Sequence, residues 1–231
     1  MPPHVTDVES EAQAAAEAHW PNPRYLAGVA AGGVLGALLL GLSVRSGSTG
    51  FDRWLHDTVV AHRGSHHALA RTLTQGGSTK IIWPMVTVAS LLFPRSRGWR
   101  RVATTLAFGG AAALAIGVRL AMSDVFDRPR PPALDWAGTA GGYAYPSGHT
   151  SAATIGAGAL GWALIRHLDH RITRMAIWAA VVVYAGGVGW TRIWLGVHWP
   201  TDVIGGWLFG TGWICGMAAV AVYVERRWPR E

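Results

Sequence analysis

Apolar residues along this chain gather into long runs separated by short polar stretches. Residues 1–23 stand apart, being polar and rich in Ala and Glu. Acidic residues occupy the place where a secretion signal carries basic ones, so the stretch predicts a mobile cytoplasmic tail and not a cleaved leader. Tyr25 to Val44 is then apolar over about the 20 residues that a helix needs to cross a bilayer core. The mixed segment "FDRWLHDTVVAHRGSHHALARTLTQGG" keeps apolar residues at helical spacing with polar interruptions, which predicts short interfacial helices. Ile81 to Phe93 is apolar but short; with its flanks it reaches about 17 residues, the lower limit for a span, and it contains Pro84. Val102 to Met122, Thr150 to Ile165, Met175 to Trp190 and Val203 to Val224 complete the series.

The pattern predicts an all-α integral membrane protein, a bundle of six transmembrane helices with short interfacial helices in the first outer loop. One domain, residues 24–225, lies between the tail at 1–23 and a basic tail at 226–231. No internal repeat interrupts it. Charge then assigns direction. "PRSRGWRR" carries four Arg, "RHLDHRITR" three and "ERRWPRE" three. The positive-inside rule places those segments and both termini in the cytoplasm. The loops at 45–80, 123–149 and 191–202 face outward, although the first holds five basic residues over its greater length.

Composition agrees with a membrane setting. Half of the residues are hydrophobic and 14% are charged, against roughly 25% charged in ordinary soluble domains. The 30 Gly and 13 Trp fit close helix packing and interfacial anchoring. A net charge of +7 raises nucleic acid as a partner. The arginines are scattered between apolar runs instead of forming a stripe, so anionic membrane lipids are the expected neighbours and nucleic acid is not. A single Cys, Cys215, rules out an intrachain disulfide.

Three polar pieces on the outward face carry candidate chemistry: "DRPRPP" with Arg128 and Arg130, "PSGH" with Ser147, Gly148 and His149, and "TRIWLGVHWPTD" with Arg192, His198 and Asp202. Singly each reads as a snorkelling arginine, a helix cap or a solvated histidine. Together they make a phosphate site. Arg130 and Arg192 offer planar, bidentate donors to phosphate oxygens. Ser147 and Gly148 precede an apolar helix, so a hydroxyl, backbone N–H groups and a helix N-terminus can converge on an anion. His198 and Asp202 are four residues apart, with Pro200 suited to a first helical turn. A carboxylate at that spacing holds one imidazole nitrogen and leaves the other as nucleophile, while His149 supplies proton transfer. Such a set displaces at phosphorus with no metal and no cofactor.

The order Arg-Pro, then "PSGH", then Arg-five-residues-His-three-residues-Asp resembles the type 2 phosphatidic acid phosphatase (PAP2) superfamily, in its membrane lipid phosphatase branch. The resemblance covers roughly residues 50–222, with the "FDRWLHD" and "LTQGGS" stretches included. It implies a lipid phosphomonoester or pyrophosphate as substrate, namely a polyprenyl (pyro)phosphate, phosphatidic acid or phosphatidylglycerol phosphate. It also implies that His198 becomes phosphohistidine, Asp202 orients it, and His149 protonates the leaving group and then activates water. Arg130, Arg192, Ser147 and Gly148 cradle the phosphate.

The chain departs from the family pattern at Ser123, where a phosphate-binding Lys is expected; Arg119, one turn earlier, and Arg128 are the candidates to replace it. Thr191 stands where Ser is usual. A lipid phosphotransferase using the same phosphohistidine, or a catalytically degenerate lipid carrier or scaffold, stays open as an alternative. His56, His62, His66 and His67 match no metal-ligand spacing and predict a solvated or interfacial helix. The Gly-rich loop 132–145 reads equally as a mobile rim or a plain connection. "GVAAGGVLG" predicts close helix packing, and Trp190, Trp194 and Trp199 an outer interface.

Overall fold

A computed structural model describes residues 22–92 and 98–227. The described residues form eight α-helices: α1 Pro23–Val44, α2 Gly50–His62, α3 His67–Thr74, α4 Thr79–Leu92, α5 Trp99–Phe126, α6 Gly148–Ile165, α7 Arg171–Trp194 and α8 Pro200–Arg227. Single 3₁₀ turns occupy Gln75–Gly77 and Ala133–Asp135. No strand occurs among them. Residues 1–21 of the expected tail at 1–23, and parts of the basic segments at 93–97 and 228–231, lie outside the described residues.

Among the described residues four helices are long and apolar enough to cross a bilayer: α1, α5 from Arg101, α7 and α8. The other two expected spans differ from these. α4 has 14 residues, with Pro84 tolerated inside it; α6 has 18 and opens on the polar turn His149–Thr150–Ser151. α6 is the axis of the bundle, with α4, α7 and α8 packed against it and α5 touching it more lightly. Thirteen of its residues are buried, most of them Ala, Gly, Ser or Thr. A helix that is apolar all round and small-sided belongs in the centre, because its neighbours can close on it from several directions.

Glycines set the closest approaches. A Cβ on Gly206 of α8 would sit 2.9 Å from Thr150 Cβ, and one on Gly210 would sit 2.7 Å from Thr154 Cβ. Gly33 of α1 meets Gly212 of α8 in the same way, as the Gly-rich "GVAAGGVLG" stretch predicted, whereas Gly28 and Gly32 of that stretch face open space.

The helices bury two apolar cores along the bundle. Ile82, Phe108, Trp162 and Ile214 anchor one; Phe126, Tyr145, Ile155 and Phe209 anchor the other, beneath the polar loops. α2, α3 and the loops 127–147 and 195–199 lie over that second end. Ala70, Ala137, Leu195 and Val197 pack there, and Ala137 donates a backbone bond of 2.9 Å to the carbonyl of Leu195. The loop 132–145 is therefore tied to its surroundings. Trp190 is exposed as an interfacial anchor should be, but Trp199 is buried, against the expectation: its ring meets His56, and its indole N–H donates to the carbonyl of Pro129. His56 likewise is buried instead of solvated.

Candidate active site

α5 ends in a turn that separates the two arginines of "DRPRPP". Asp127 adopts the left-handed conformation, φ 50°, one of the few residue types that tolerate it, and its N–H caps the helix on the carbonyl of Ser123. Arg128 then points inward and is fully buried. All five of its N–H donors are used: Nε and Nη2 on the carbonyl of Gly47, Nη2 also on Asp52 Oδ2 at 2.7 Å, and Nη1 on Thr201 Oγ1 and Asp202 Oδ1. A guanidinium fully buried and neutralised by two carboxylates has no charge left for a ligand. The sequence candidacy of Arg128 for phosphate is thereby corrected; it braces the protein.

His198 sits at the turn into α8. Pro200 opens that helix, as its fixed φ favours. Asp202 in the first turn reaches back to the N–H of Trp199 at 2.8 Å, half of a capping box. The same oxygen lies 3.3 Å from His198 Nδ1, while Nη1 of Arg130 lies 3.0 Å from His198 Nε2. A guanidinium only donates, so Nε2 must accept, and the ring proton belongs on Nδ1 facing the carboxylate. Burial holds the imidazole well below the usual histidine range, reinforced by Arg130, Arg192, His149 and Arg119 around it. The result is a neutral histidine whose lone pair faces a cluster of cations.

Arg130 gives its other donors to carbonyls of the loop 132–145 and of the turn before His198: Gly141, Gly142, Tyr143 and Val197, at 2.8–3.0 Å. Arg192, in the last turn of α7, is buried and donates from Nη1 to Thr74 Oγ1 at 3.0 Å. Its buried Nε finds no acceptor among the described residues. A buried N–H without an acceptor is costly unless something arrives to accept it. Arg119 lies over the start of α6. A Cβ on Gly148 would stand 3.4 Å from Arg119 Cζ and Nη1, so the glycine makes room for the guanidinium. Of the two substitutes for the missing lysine, Arg119 reaches the site and Arg128 does not.

Ser147 occupies the N-cap position of α6, but its side chain caps no backbone N–H. Its Oγ accepts from Thr150 Oγ1 at 2.9 Å, which leaves its own proton free to donate, and its backbone N–H bonds the carbonyl of Asp202 at 3.0 Å. That last bond clips α6 to α8. His149 follows, held from behind by the 3₁₀ turn: a Cβ on Gly77 would be 2.5 Å from the carbonyl oxygen of His149. A cavity of about 150 Å³ opens beside Arg119 and Gly148, walled by Ile82, Trp83, Ile155 and Phe209. A larger one of about 1040 Å³, lined by Val34, Trp99, Phe108, Trp162 and Trp213, lies towards the other end of the bundle, away from the histidines.

Sequence reasoning missed Thr74, Thr201 and Asp52. Thr49-x-x-Asp52 is a capping box, readable as such before α2. Asp52, His56 and Val59 at helical spacing form its buried face, while Phe51 and Trp54 are exposed. That inversion hides from an analysis that looks for apolar faces. Among the described residues no three His, Cys, Asp or Glu side chains gather as a metal site needs.

The sequence matches the family model described as the PAP2 superfamily over residues 81–227. This chain belongs to the PAP2 superfamily. The matched stretch holds Arg119, Arg130, Ser147, His149, Arg192, His198 and Asp202, whereas Asp52 and Thr74 precede it. An undecaprenyl-diphosphatase of Sulfolobus acidocaldarius is 30% identical over 158 residues, 64% of this chain and 66% of that relative, just under two thirds of its length. Among solved structures, the transmembrane PAP2-type phosphatidylglycerolphosphate phosphatase of Bacillus subtilis superposes with a TM-score of 0.69 at 19% identity, covering 90% of this chain and 99% of that one. LpxE of Aquifex aeolicus superposes at 0.54 with 22% identity, over 75% and 97%. These likenesses establish the fold, and this PAP2 protein is a multi-pass membrane protein.

Proposed function

We propose that this PAP2 protein is a membrane lipid phosphatase that works through a phosphohistidine on His198. The observation that carries the reading is a buried, neutral imidazole, backed by Asp202 and faced by Arg130, with the unpartnered Nε of Arg192 beside it. An incoming phosphate takes its oxygens to Arg192, Arg119, the hydroxyl of Ser147 and the Nη1 of Arg130, which turns from Nε2 to the anion. Nε2 attacks phosphorus as the bond to the leaving oxygen breaks, and His149 gives that oxygen its proton. Water then attacks phosphorus, His149 removes its proton, the P–N bond breaks and inorganic phosphate leaves. The chain itself supplies nucleophile, acid and anion cradle, with no cofactor.

The substrate class is a lipid phosphomonoester or pyrophosphate: a polyprenyl (pyro)phosphate, phosphatidic acid or phosphatidylglycerol phosphate. The apolar cavity beside Arg119 and Gly148 supports a lipid, since it joins the cationic cradle to a hydrophobic wall. The chain crosses the membrane six times, with α4 and α6 as the two shorter spans, both termini cytoplasmic and the site outward. The experiment is phosphate release by the purified protein from a panel of these lipids, with His198→Ala alongside and acid-stable and base-stable phosphoprotein compared after labelling. Release of inorganic phosphate through a base-stable, acid-labile phosphoprotein, lost in the variant, is expected. Full turnover by His198→Ala overturns the mechanism, and a phosphorylated acceptor in place of free phosphate makes the protein a transferase.

A further inference from the structure

Asp52 is the one fully buried carboxylate besides Asp202 among the described residues. It lies on α2, in the segment ahead of the family match and far in sequence from both histidines. Its two oxygens collect four donors besides the capping hydroxyl of Thr49: the backbone N–H of Thr49, the N–H and hydroxyl of Thr201, and Nη2 of Arg128, at 2.7–2.9 Å. Burial pushes the carboxyl up, but the bonds from Thr49 and Thr201 and the charge of Arg128 outweigh it and hold it below its ordinary value. Asp52 therefore stays ionised. The opposite side of the same guanidinium holds Asp202 Oδ1, and Asp202 Oδ2 holds His198 Nδ1.

One cation is thus shared by two carboxylates, and only one of the two touches the nucleophile. A guanidinium paired with Asp202 alone would neutralise it. Divided with Asp52, it leaves a net negative charge on the far side of His198. That charge matters when Nε2 becomes bonded to phosphorus, because the ring then turns cationic. Asp52 also grips Thr201, the residue before Asp202, and so sets where the first turn of α8 begins.

We propose that Asp52 is a positioning residue for phosphoryl transfer, which through Arg128 and Thr201 fixes both the orientation and the charge of Asp202 behind His198. The proposal rests on the phosphatase reading. The groups facing His198 are Asp202 of α8, Arg130 of the α5–α6 loop, Arg192 of α7, His149 of α6 and Arg119 of α5. Asp52 is the counterweight to this cationic surround that acts at one remove.

The test is Asp52→Asn in the purified full chain, assayed on short-chain phosphatidic acid in detergent beside wild type and His198→Ala. The expected result is a kcat lower by roughly 10–100-fold with KM within about twofold. The acid limb of kcat/KM also moves to lower pH, because less negative charge near His198 makes its imidazolium harder to form. A purely structural role would lower thermal stability while kcat per folded molecule and the limb stayed put, and that outcome overturns the proposal. Should Asp52→Asn fail to accumulate, Thr201→Ala carries the test: it loosens the grip but keeps both charges. It is expected to lower kcat several-fold without moving the limb, and an unchanged kcat overturns the proposal. Activity retained by His198→Ala overturns the phosphatase reading itself; an inactive His198→Ala beside a wild-type-like Asp52→Asn overturns this inference alone.

Discussion

The site has two halves, and they treat arginine in opposite ways. In the inner half Arg128 is buried between two carboxylates, a threonine and a carbonyl, with every donor used. In the outer half Arg119, Arg130 and Arg192 converge on His198, and none has a carboxylate within 4.0 Å among the described residues. Three cations gathered with no carboxylate in contact are a liability unless an anionic ligand completes them. The lesson is that the count of arginines near a site says little; what matters is which of them are already neutralised by carboxylates.

The comparison breaks most decisively if the outer half can be dismantled without consequence. His198→Ala should lower phosphate release by roughly 10³-fold or more, since nothing else near the anion cradle offers a free nitrogen lone pair backed by a carboxylate. Arg192→Ala should cost roughly 10²-fold in kcat/KM, as loss of a transition-state donor does, while its thermal midpoint stays near wild type. Arg128→Ala should do the reverse in emphasis: it strands Asp52 and Asp202, a loss of about 3–5 kcal/mol of stability, read as a lowered unfolding midpoint in detergent. If the two variants cannot be told apart by midpoint, the division into halves fails.

Smaller effects sharpen it. Arg119→Ala should lower kcat/KM by about tenfold. Adding Ser123→Lys to that variant should recover part of the loss, because residue 123 lies one turn from 119 on the same helix. Finally, His198 is held below its ordinary range, so its neutral form persists as acidity rises. The free-enzyme kcat/KM profile should keep its plateau as pH falls through about 6.5, and lose activity only beyond. The sign for stability is the same: the unfolded chain takes up a proton near that pH that the folded site refuses, so stability declines as pH falls. An acid limb at or above 6.5 would contradict the burial of His198.

Much of this was legible from residues alone. The helical membrane bundle follows from run lengths, and the pieces carrying His149, Arg192, His198 and Asp202 follow from residue type and spacing. The choice between Arg119 and Arg128 did not, because both lie within helical reach of residue 123; only the turn at Asp127 sends one inward. Asp52 was hidden for a different reason. Periodicity finds the buried face of a helix by its apolar residues, and on α2 that face is led by Asp52 and His56, whose partners arrive from the far end of the sequence. The two shorter helices were ambiguous for the reason they remain distinctive: α6 gains its place by small size and burial, not by a long greasy run.

The bonds from Thr201 and Asp202 to Asp52 and Arg128 have a consequence for biogenesis. α8 follows α2 by more than a hundred residues and brings the donors and acceptors that complete its polar face. Until α8 inserts, Arg128 has only Asp52 and the carbonyl of Gly47, and the clip between Ser147 and Asp202 does not exist. A chain cut short before Pro200 retains the arginines and His198 but lacks Asp202 behind the imidazole and Thr201 against Asp52. The carboxylate that orients His198 and the lock that holds it therefore arrive together, with the first turn of α8.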